Sequence, residues 1–541
     1  MKKGNTKGSW LPSLLFIVGL AFPNAVYLFQ SPDTKAATAL LLSLILLAGL
    51  MRLLQNHPWL LASVSIVLAI LAAIDTIHLL DYGAHISAGA IGAIFDTDPK
   101  EASEFFLSVS NATIPVSIGF AILAALLVLL HRKTNNQPIS TNHRWITTLM
   151  LVLPIIDFAA KGSSWNSAPI RPIKAIYDYW HEKEHAQQLS RERKHFRFDA
   201  HRNVPAAPDE HFVLILGESV RRDHLQPYGY PRPTSPQLTK RDDLLLFTDV
   251  VSPANQTRRS VKMMLSPATA LDLSDFYRKG TIVNLANEAG FHTTWLSNQG
   301  RYGQHDTEVS SIGRDADLRV FTNTDWDTHS LDERLISPFH NIASDRSKPR
   351  FTVVHLLGSH GSYFRRYPPA FDYFHDTPPG SDGMNESLKN AINAYDNSLR
   401  YTDSIIDQII RILEKTKALG CAIYSPDHGE ILGEVNGRTT HGFPTVQRPE
   451  AEIPFIVWCS QSYRQRHPDV WARLSANRHL PFSTEHLFDL LADMMAIDYP
   501  GDQPSTSIAN PSFEPPSTRY LLGTNGHPVS YESFATNDQP K

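Results

Sequence analysis

The sequence has few cysteines and no excess of either charge sign. Only Cys421 and Cys459 occur in 541 residues, which excludes a disulfide-rich scaffold and a cysteine-dominated metal site. The 50 Lys and Arg against 54 Asp and Glu give a net charge of −4, so no basic surplus indicates nucleic-acid binding. Charged residues are also scarce, at 19%, against roughly 25% in soluble proteins. One ordinary soluble domain is therefore excluded.

What the chain does have is a series of long apolar runs within its first 160 residues. Five stretches are long enough, or nearly so, to cross a hydrocarbon core, which takes roughly 17–25 residues. They cover residues 11–29, 36–54, 59–80, 114–130 and 145–160. A cleaved signal peptide could imitate the first, but four more follow it. We therefore predict an N-terminal bundle of five transmembrane α-helices.

The charges between these runs predict their orientation. Basic residues precede the first run and lie between the fourth and fifth. The loop of residues 81–104, between the third and fourth runs, is acidic. The positive-inside rule then puts the N-terminus in the cytoplasm, and an odd number of spans exports everything after residue 160. We expect a multi-pass membrane protein with an exported C-terminal part, which in a bacterium would be an inner-membrane protein with a periplasmic domain.

Two polar residues, Asp75 and His78, lie late in the third predicted span. Polar groups are costly inside a membrane and often have a function there. They could contact a lipid headgroup, or they could simply lie at the interface near water.

The exported part changes character at residue 209. Residues 161–208 are highly charged with interleaved aromatics, which fits either an amphipathic helix on the membrane surface or a solvated linker helix. The domain boundaries that we predict are therefore 1–160, 161–208 and 209–541.

Short apolar runs at residues 212–216, 351–357 and 421–424 each end in polar residues. Continuous runs of this kind are typical of strands buried on both faces, as in a parallel sheet. Helical segments at residues 284–289 and 390–413 lie between them, so we predict an α/β domain with a mostly parallel central sheet.

Polar residues at the ends of these strands predict a metal site. Ligands of α/β sheets bind beyond the carboxyl ends of the strands. Glu218, Asp427 and His428 lie at such ends, and carboxylate oxygen with imidazole nitrogen suits a zinc-like cation. Read singly, each residue could instead be part of a turn or a helix cap.

Thr257 is the candidate nucleophile, because it precedes a predicted helix whose free N–H groups favour anions. Coordination by a metal would make its hydroxyl reactive towards phosphorus. Read alone, Thr257 could be a helix N-cap, and Ser252 and Ser260 are rivals by composition.

Taken together, these motifs resemble the membrane-bound phosphoethanolamine transferases, which belong to the alkaline phosphatase and sulfatase-like superfamily of bacterial envelope enzymes. The matching segments are Gly217-Glu218-Ser219 with Arg222, residues 228–236, Thr257, residues 295–298, residues 355–360 with 366–368, Asp427-His428-Gly429-Glu430, residues 432–434, His441-Gly442 and Ile453-Pro454-Phe455. With the apolar runs, the resemblance covers almost the whole chain.

The resemblance implies roles for particular residues. It implies one zinc, held by the set Glu218, Thr257, Asp427 and His428, with Thr257 carrying the phosphoethanolamine. His360 and His441 would contact the transferred phosphate or a second zinc, and one of them could protonate a leaving oxygen. Asn298 would contact the phosphoryl group. His441 could also be an ordinary loop histidine. Salt bridges of Arg222 and Arg232 are expected to brace the strand-end loop.

The sequence also departs from relatives that modify lipid A, many of which have several disulfides in the exported domain. We expect Cys421 and Cys459 to be buried free thiols. The chain is therefore more similar to the cysteine-poor branch that includes core-heptose modifiers. The formylglycine motif of sulfatases is not present at Thr257, which argues against sulfate-ester hydrolysis.

The function that follows is a two-step transfer. Thr257 attacks phosphatidylethanolamine, diacylglycerol leaves, and an acceptor on lipopolysaccharide core or lipid A, or on a surface protein, takes the phosphoethanolamine. The same site could instead transfer glycerol phosphate or use water as a metal-dependent phosphodiesterase. An envelope sensor without catalysis would have no need of Thr257.

Overall fold

The computed structural model describes residues 11–96, 113–131, 144–160, 162–299, 308–323, 330–435 and 437–535. The described chain falls into two compact units, with Lys183 the last residue of the N-terminal unit and Glu184 in the C-terminal unit. Each unit has its own hydrophobic clusters.

The N-terminal unit is helical throughout its apolar runs. The helices in and leading out of this unit are Leu11–Leu20, Phe22–Gln30, Thr34–Leu54, Pro58–Tyr82, Ala88–Asp96, Thr113–His131, Arg144–Ala159 and Ile170–Arg193. All five predicted apolar stretches are thus helices. The last of these helices, Ile170–Arg193, lies within the predicted linker region of residues 161–208.

The number of spans that the described helices support is smaller than five. Thr34–Leu54 and Pro58–Tyr82 are long and apolar enough to cross a membrane, and a bent pair, Pro12–Leu20 with Phe22–Gln30, makes a third span if its 42° bend counts as one. The apolar helix Thr113–Leu129 is shorter than these spans. Arg144–Ala159 has only 16 residues and contains Pro154. Length and composition therefore support two or three spans.

Asp75 and His78 hydrogen-bond to protein groups near the end of their helix. Asp75 is fully buried, and its two oxygens accept from the backbone N–H of Ile86 at 2.9 Å and from Nδ1 of His85 at 2.8 Å. His78 Nδ1 donates to the Ala84 carbonyl at 2.7 Å. The two residues therefore hold the chain that follows their helix.

The C-terminal unit is built on a mixed seven-stranded sheet. The strands are β1 His201–Arg202, β2 His211–Gly217, β3 Leu244–Phe247, β4 Val250–Val251, β5 His292–Ser297, β6 Leu318–Phe321, β7 Arg350–His355, β8 Cys421–Pro426, β9 Ile431–Leu432, β10 Thr439–Thr440, β11 Phe455–Cys459, β12 Phe482–Ser483, β13 Ile497–Asp498, β14 Tyr520–Leu522 and β15 Pro528–Ser530. Seven of these strands form the central sheet, in the order β3-β11-β8-β2-β7-β5-β6, and the others pair in two-stranded sheets. From β8 to β6 the neighbours are parallel, whereas β11 runs antiparallel to both of its neighbours.

Helices cover both faces of this sheet, which gives the predicted α/β architecture. They are Thr257–Met264, Ser274–Arg278, Ile282–Glu288, Glu308–Ile312, Ile336–Ser344, Glu386–Thr416, Arg448–Ala451, Gln461–Arg466, Pro468–Asn477, Leu487–Met494 and Glu532–Ala535. Alternate residues of β2 join different clusters: Leu214 packs into one and Ile215 into the other. Burial on both faces explains why the central strands are continuously apolar.

The expectation of two free thiols is wrong, because Cys421 and Cys459 form a disulfide. They lie directly opposite each other in the antiparallel pair of β8 and β11. Sequence reasoning placed Cys421 on a predicted strand but had no means of showing that the segment bearing Cys459 lies beside it.

We predict that replacing both cysteines by alanine destabilises the C-terminal unit by about 2–4 kcal/mol, because the cross-link closes a loop of sequence separation 38. Thermal unfolding followed by circular dichroism in detergent would measure the loss. Thiol labelling of denatured, unreduced wild-type protein is the control, and two reactive thiols there would contradict the assignment.

Candidate active site

The predicted metal ligands meet at the carboxyl end of two adjacent strands. Glu218 follows β2, and Asp427 and His428 follow β8, which pairs with β2 in parallel register. All three residues are buried, and one ligand atom from each lies within 4.8 Å of the others. The structure therefore brings together the set that the sequence proposed.

The spacing of these atoms fits one small cation. His428 Nε2 lies 3.5 Å from Glu218 Oε1 and 3.3 Å from Asp427 Oδ2. Ligands about 2.0–2.1 Å from a tetrahedral zinc are about 3.3 Å apart. Asp427 Oδ2 has no hydrogen-bond partner in the described part of the chain. A divalent ion would satisfy it.

The protonation state of His428 also favours a bound cation. Its Nδ1 lies 2.7 Å from the Gly429 carbonyl oxygen, which can only accept, so Nδ1 carries the proton. Burial lowers the pKa of His428, so the ring is neutral and Nε2 offers a lone pair. A lone pair facing two carboxylates is repulsive unless a cation lies between them.

The pKa shifts of Glu218 and Asp427 are also consistent with a bound cation. Burial, together with the charge of Asp427, raises the pKa of Glu218 well above its ordinary value. Burial would also raise the pKa of Asp427, but that pKa is lowered, in part because the Ser219 N–H donates to Oδ1 at 3.1 Å. A bound divalent cation would favour the ionised form of both groups.

Thr257 lies at this site, on the first residue of the helix Thr257–Met264. Its Oγ1 is 3.2 Å from Glu218 Oε2 and 3.4 Å from His428 Nε2. The N-cap is Gln256, so the alternative reading of Thr257 as an N-cap is wrong. The Thr257 hydroxyl therefore faces the ligand cluster at the positive end of the helix.

The two rival hydroxyls are placed differently. Ser252 Oγ bonds to the carbonyl oxygens of Ala254 and Asp427, so it supports the backbone of the site. Ser260 Oγ is buried and has no hydrogen-bond partner among the described residues. Among the three candidates, Thr257 is the hydroxyl bonded to the ligand atoms.

The two predicted histidines lie beside the cluster. The His441 ring packs on that of His428 with centroids 4.2 Å apart, and the His360 ring is 6.4 Å from that of His441. His441 Nδ1 lies 3.2 Å from Glu430 Oε2. Burial opposes protonation of His441, but Glu430 and then Glu218 raise its pKa to about 9. His441 is therefore no ordinary loop histidine.

Comparison with known proteins agrees with this geometry. A family model described as sulfatase matches residues 210–497, which is more than half of the chain. The chain belongs to the sulfatase family. A second model, described as phosphoethanolamine transferase EptA/EptB, matches residues 41–167. The predicted membership among the membrane-bound phosphoethanolamine transferases is confirmed.

Individual relatives match over most of their length. Phosphoethanolamine transferase EptC of Escherichia coli (strain K12) is 26% identical over 501 residues, covering 85% of this chain and 84% of the relative. Lipooligosaccharide phosphoethanolamine transferase A (EptA) of Neisseria meningitidis superposes with a TM-score of 0.70 at 20% identity, over 92% of this chain and 97% of that one. The periplasmic domain of E. coli EptC, solved as a complex with Zn, gives a TM-score of 0.58 at 24% identity, over 63% of this chain and 97% of that one.

Within this sulfatase-family site, Asn298 is engaged away from the ligand cluster. Its Nδ2 donates to Asp332 Oδ1 at 2.9 Å, and its Oδ1 accepts from the hydroxyls of Ser330 and Thr322. Asp332 also accepts from the backbone N–H of the turn that leads to His360. Asn298 therefore supports the His360 loop in this structure.

The predicted bracing by two arginines is confirmed. Arg222 pairs with Glu452, and Arg232 pairs with Asp396 at 2.8 Å. Both pairs tie the loop after β2 to distant parts of the chain.

Sequence reasoning missed two buried carboxylates that hold the site together. Asp332 is one, and Glu450 is the other. Glu450 accepts from Asn255 Nδ2 at 2.9 Å and from the Gly442 N–H at 2.7 Å, so it joins the segments next to Thr257 and His441. Neither residue follows a strand directly, so no local pattern marked them.

Proposed function

We propose that this chain is a zinc-dependent transferase that moves phosphoethanolamine from phosphatidylethanolamine to an envelope acceptor through a covalent intermediate on Thr257. The observation that carries the proposal is the Thr257 hydroxyl 3.2 Å from Glu218 and 3.4 Å from His428, in a buried cluster spaced for one cation. The matching EptA/EptB model in the membrane region favours this substrate class over other phosphate esters.

Glu218, Thr257, Asp427 and His428 would hold the zinc. When bound, zinc would promote ionisation of the hydroxyl and neutralise charge on the phosphoryl oxygens. In the first step, Thr257 Oγ1 forms a bond to phosphorus as the bond from phosphorus to the diacylglycerol oxygen breaks. In the second step, an acceptor oxygen displaces Thr257 in the same way.

The histidines have two possible tasks. An imidazole within reach of the leaving oxygen can supply its proton, and His360 and His441 are the candidates. The same pair could instead hold a second metal ion. Contact of Asn298 with the phosphoryl group remains part of the proposal and would require release of its bonds to Asp332 and Ser330.

The membrane region makes sense for a lipid donor. We propose the five-span arrangement of the inner membrane, with a cytoplasmic N-terminus, residues 161–208 as interfacial linker and residues 209–541 as the periplasmic domain. The Cys421–Cys459 disulfide supports an oxidising compartment. The acceptor would be lipid A, the lipopolysaccharide core or a surface protein.

We predict that purified enzyme given phosphatidylethanolamine without acceptor releases about one diacylglycerol per chain and then stops, because Thr257 stays modified. Mass spectrometry of the Thr257 peptide would show added phosphoethanolamine. Continuous turnover would instead indicate a hydrolase, and added glycerol phosphate from phosphatidylglycerol would indicate the other headgroup. Glycolipid spectra from cells with and without the chain would identify the acceptor.

A further inference from the structure

The C-terminal unit contains a cavity whose lining includes none of the active-site residues described above. Its volume is about 100 Å³, enough for several waters or for a group of a few heavy atoms. The lining residues are Phe196, Phe198, Pro267, Thr269, Lys279, Glu485, His486, Asp489, Tyr499, Pro500, Gly501 and Gln503. Aromatic rings and carboxylates thus share one small space.

Glu485 is a largely buried carboxyl group with no cationic partner in hydrogen-bond range among the described residues. Its side chain is 9% exposed, and its Oε2 accepts from the Ala270 N–H at 3.0 Å. Burial raises the pKa of Glu485, and hydrogen bonds from Ala270 and the Ser483 side chain oppose that shift. The basic side chain beside Oε1 is His486, whose Nε2 lies 3.8 Å away. Burial lowers the pKa of His486 to about 4, so at neutral pH the ring brings no positive charge.

The other charged residues of the lining do not compensate Glu485 either. Both oxygens of Asp489 accept from neighbouring hydroxyl groups. Lys279, which also lines the cavity, is paired with Asp275 at 2.8 Å. A buried carboxylate without a positive partner is costly, so the cavity favours a cation.

The aromatic residues of the lining favour an organic cation over a metal ion. Phe196 and Phe198 meet edge to face with centroids 4.9 Å apart, and Phe198 meets Tyr499 at 5.8 Å. Aromatic faces attract organic ammonium groups, whose carbon atoms also gain from apolar contact. A metal ion would need more free oxygen or nitrogen ligands than Glu485 and His486 offer.

We propose that this cavity binds a small primary ammonium group, with Glu485 Oε1 as its counter-ion and the rings of Phe196, Phe198 and Tyr499 as its wall. Such a group is found both in free amines and in the headgroups of aminophospholipids. The inference does not depend on the proposed transfer reaction.

The test is calorimetric titration of the full chain in detergent with ethanolammonium chloride, and with ethane-1,2-diol as the uncharged counterpart. We expect the diol to bind at least about tenfold more weakly, because a charge-assisted hydrogen bond contributes roughly 1.5–3 kcal/mol. Glu485→Gln should lower the affinity for ethanolammonium by a similar factor and leave transfer activity unchanged. The exposed Glu514→Gln is the matched control and should bind as the wild type does.

Equal binding of the two probes, or unchanged ethanolammonium binding by Glu485→Gln, would overturn the proposal. If Glu485→Gln fails to fold, Phe196→Leu replaces it, with weaker ethanolammonium binding expected and unchanged binding again counting against the site. Competition by phosphatidylethanolamine in the micelles, but not by phosphatidylglycerol, would assign the group to a lipid headgroup; lack of competition would assign it to a free amine.

Discussion

Thr257→Ala should abolish phosphoethanolamine transfer, by a factor on the order of 10⁴ or more, because loss of a nucleophile removes the covalent route entirely. The hydroxyl is the group that lies between Glu218 and His428. Removing it leaves the ligands Glu218, Asp427 and His428 in place, so the protein should still bind zinc. Diacylglycerol release from phosphatidylethanolamine and metal analysis of the same sample would measure both.

Two matched variants make this result specific. Thr257→Ser keeps a hydroxyl at the same position and should retain measurable transfer. Ser260→Ala, on the same helix, removes a buried hydroxyl that hydrogen-bonds to none of the described residues and should leave the rate nearly unchanged. Normal transfer by Thr257→Ala would refute the covalent mechanism, and a dead Ser260→Ala enzyme would move the nucleophile to that residue.

Asp427→Asn should remove most of the bound metal and most of the activity. Loss of one carboxylate ligand lowers the charge that attracts a divalent ion, and even residues that only orient ligands change affinity or activity by about 10–100-fold. We expect at least about a 100-fold loss of both. Zinc per chain by elemental analysis, and transfer rate before and after adding excess zinc, would measure it.

Asp427→Asn should not destabilise the metal-free protein, although it weakens zinc binding. When no ion is present, the buried charge of Asp427 adds to the effect of burial in raising the pKa of Glu218, and Asn at position 427 keeps the Oδ1 that accepts from the Ser219 and His428 N–H groups. The free energy of unfolding of the metal-free variant should therefore equal or exceed that of the metal-free wild type. Asp403→Asn, at a buried carboxylate outside the site, is the control and should keep its zinc. Wild-type zinc content in Asp427→Asn would disprove the ligand assignment.

The site combines a rigid sheet with supporting loops. Glu218 and Asp427 gain their positions from the parallel register of β2 and β8. Thr257 begins a helix and His441 lies on a loop, and Glu450 joins the segments next to them through buried hydrogen bonds to Asn255 and Gly442. Because Glu450 is fully buried, its bonds are shielded from water and help to fix the distance between the two catalytic candidates.

The sequence by itself determined whatever depends on local pattern. Apolar runs marked the helices of the five predicted spans but not Ala88–Asp96, and short apolar runs marked the central strands. Polar residues directly after those strands marked Glu218, Asp427 and His428, because the carboxyl ends of parallel strands lie at one edge. The order of the motifs was enough to identify the family.

Only the tertiary structure decided what depends on contacts between distant segments. It paired Cys421 with Cys459, since a sequence does not reveal that β11 lies antiparallel beside β8. It also revealed the partners of Asp75 and showed that Glu450 joins two loops. Local periodicity reports which face of a segment is buried, whereas register and loop packing arise from the whole chain.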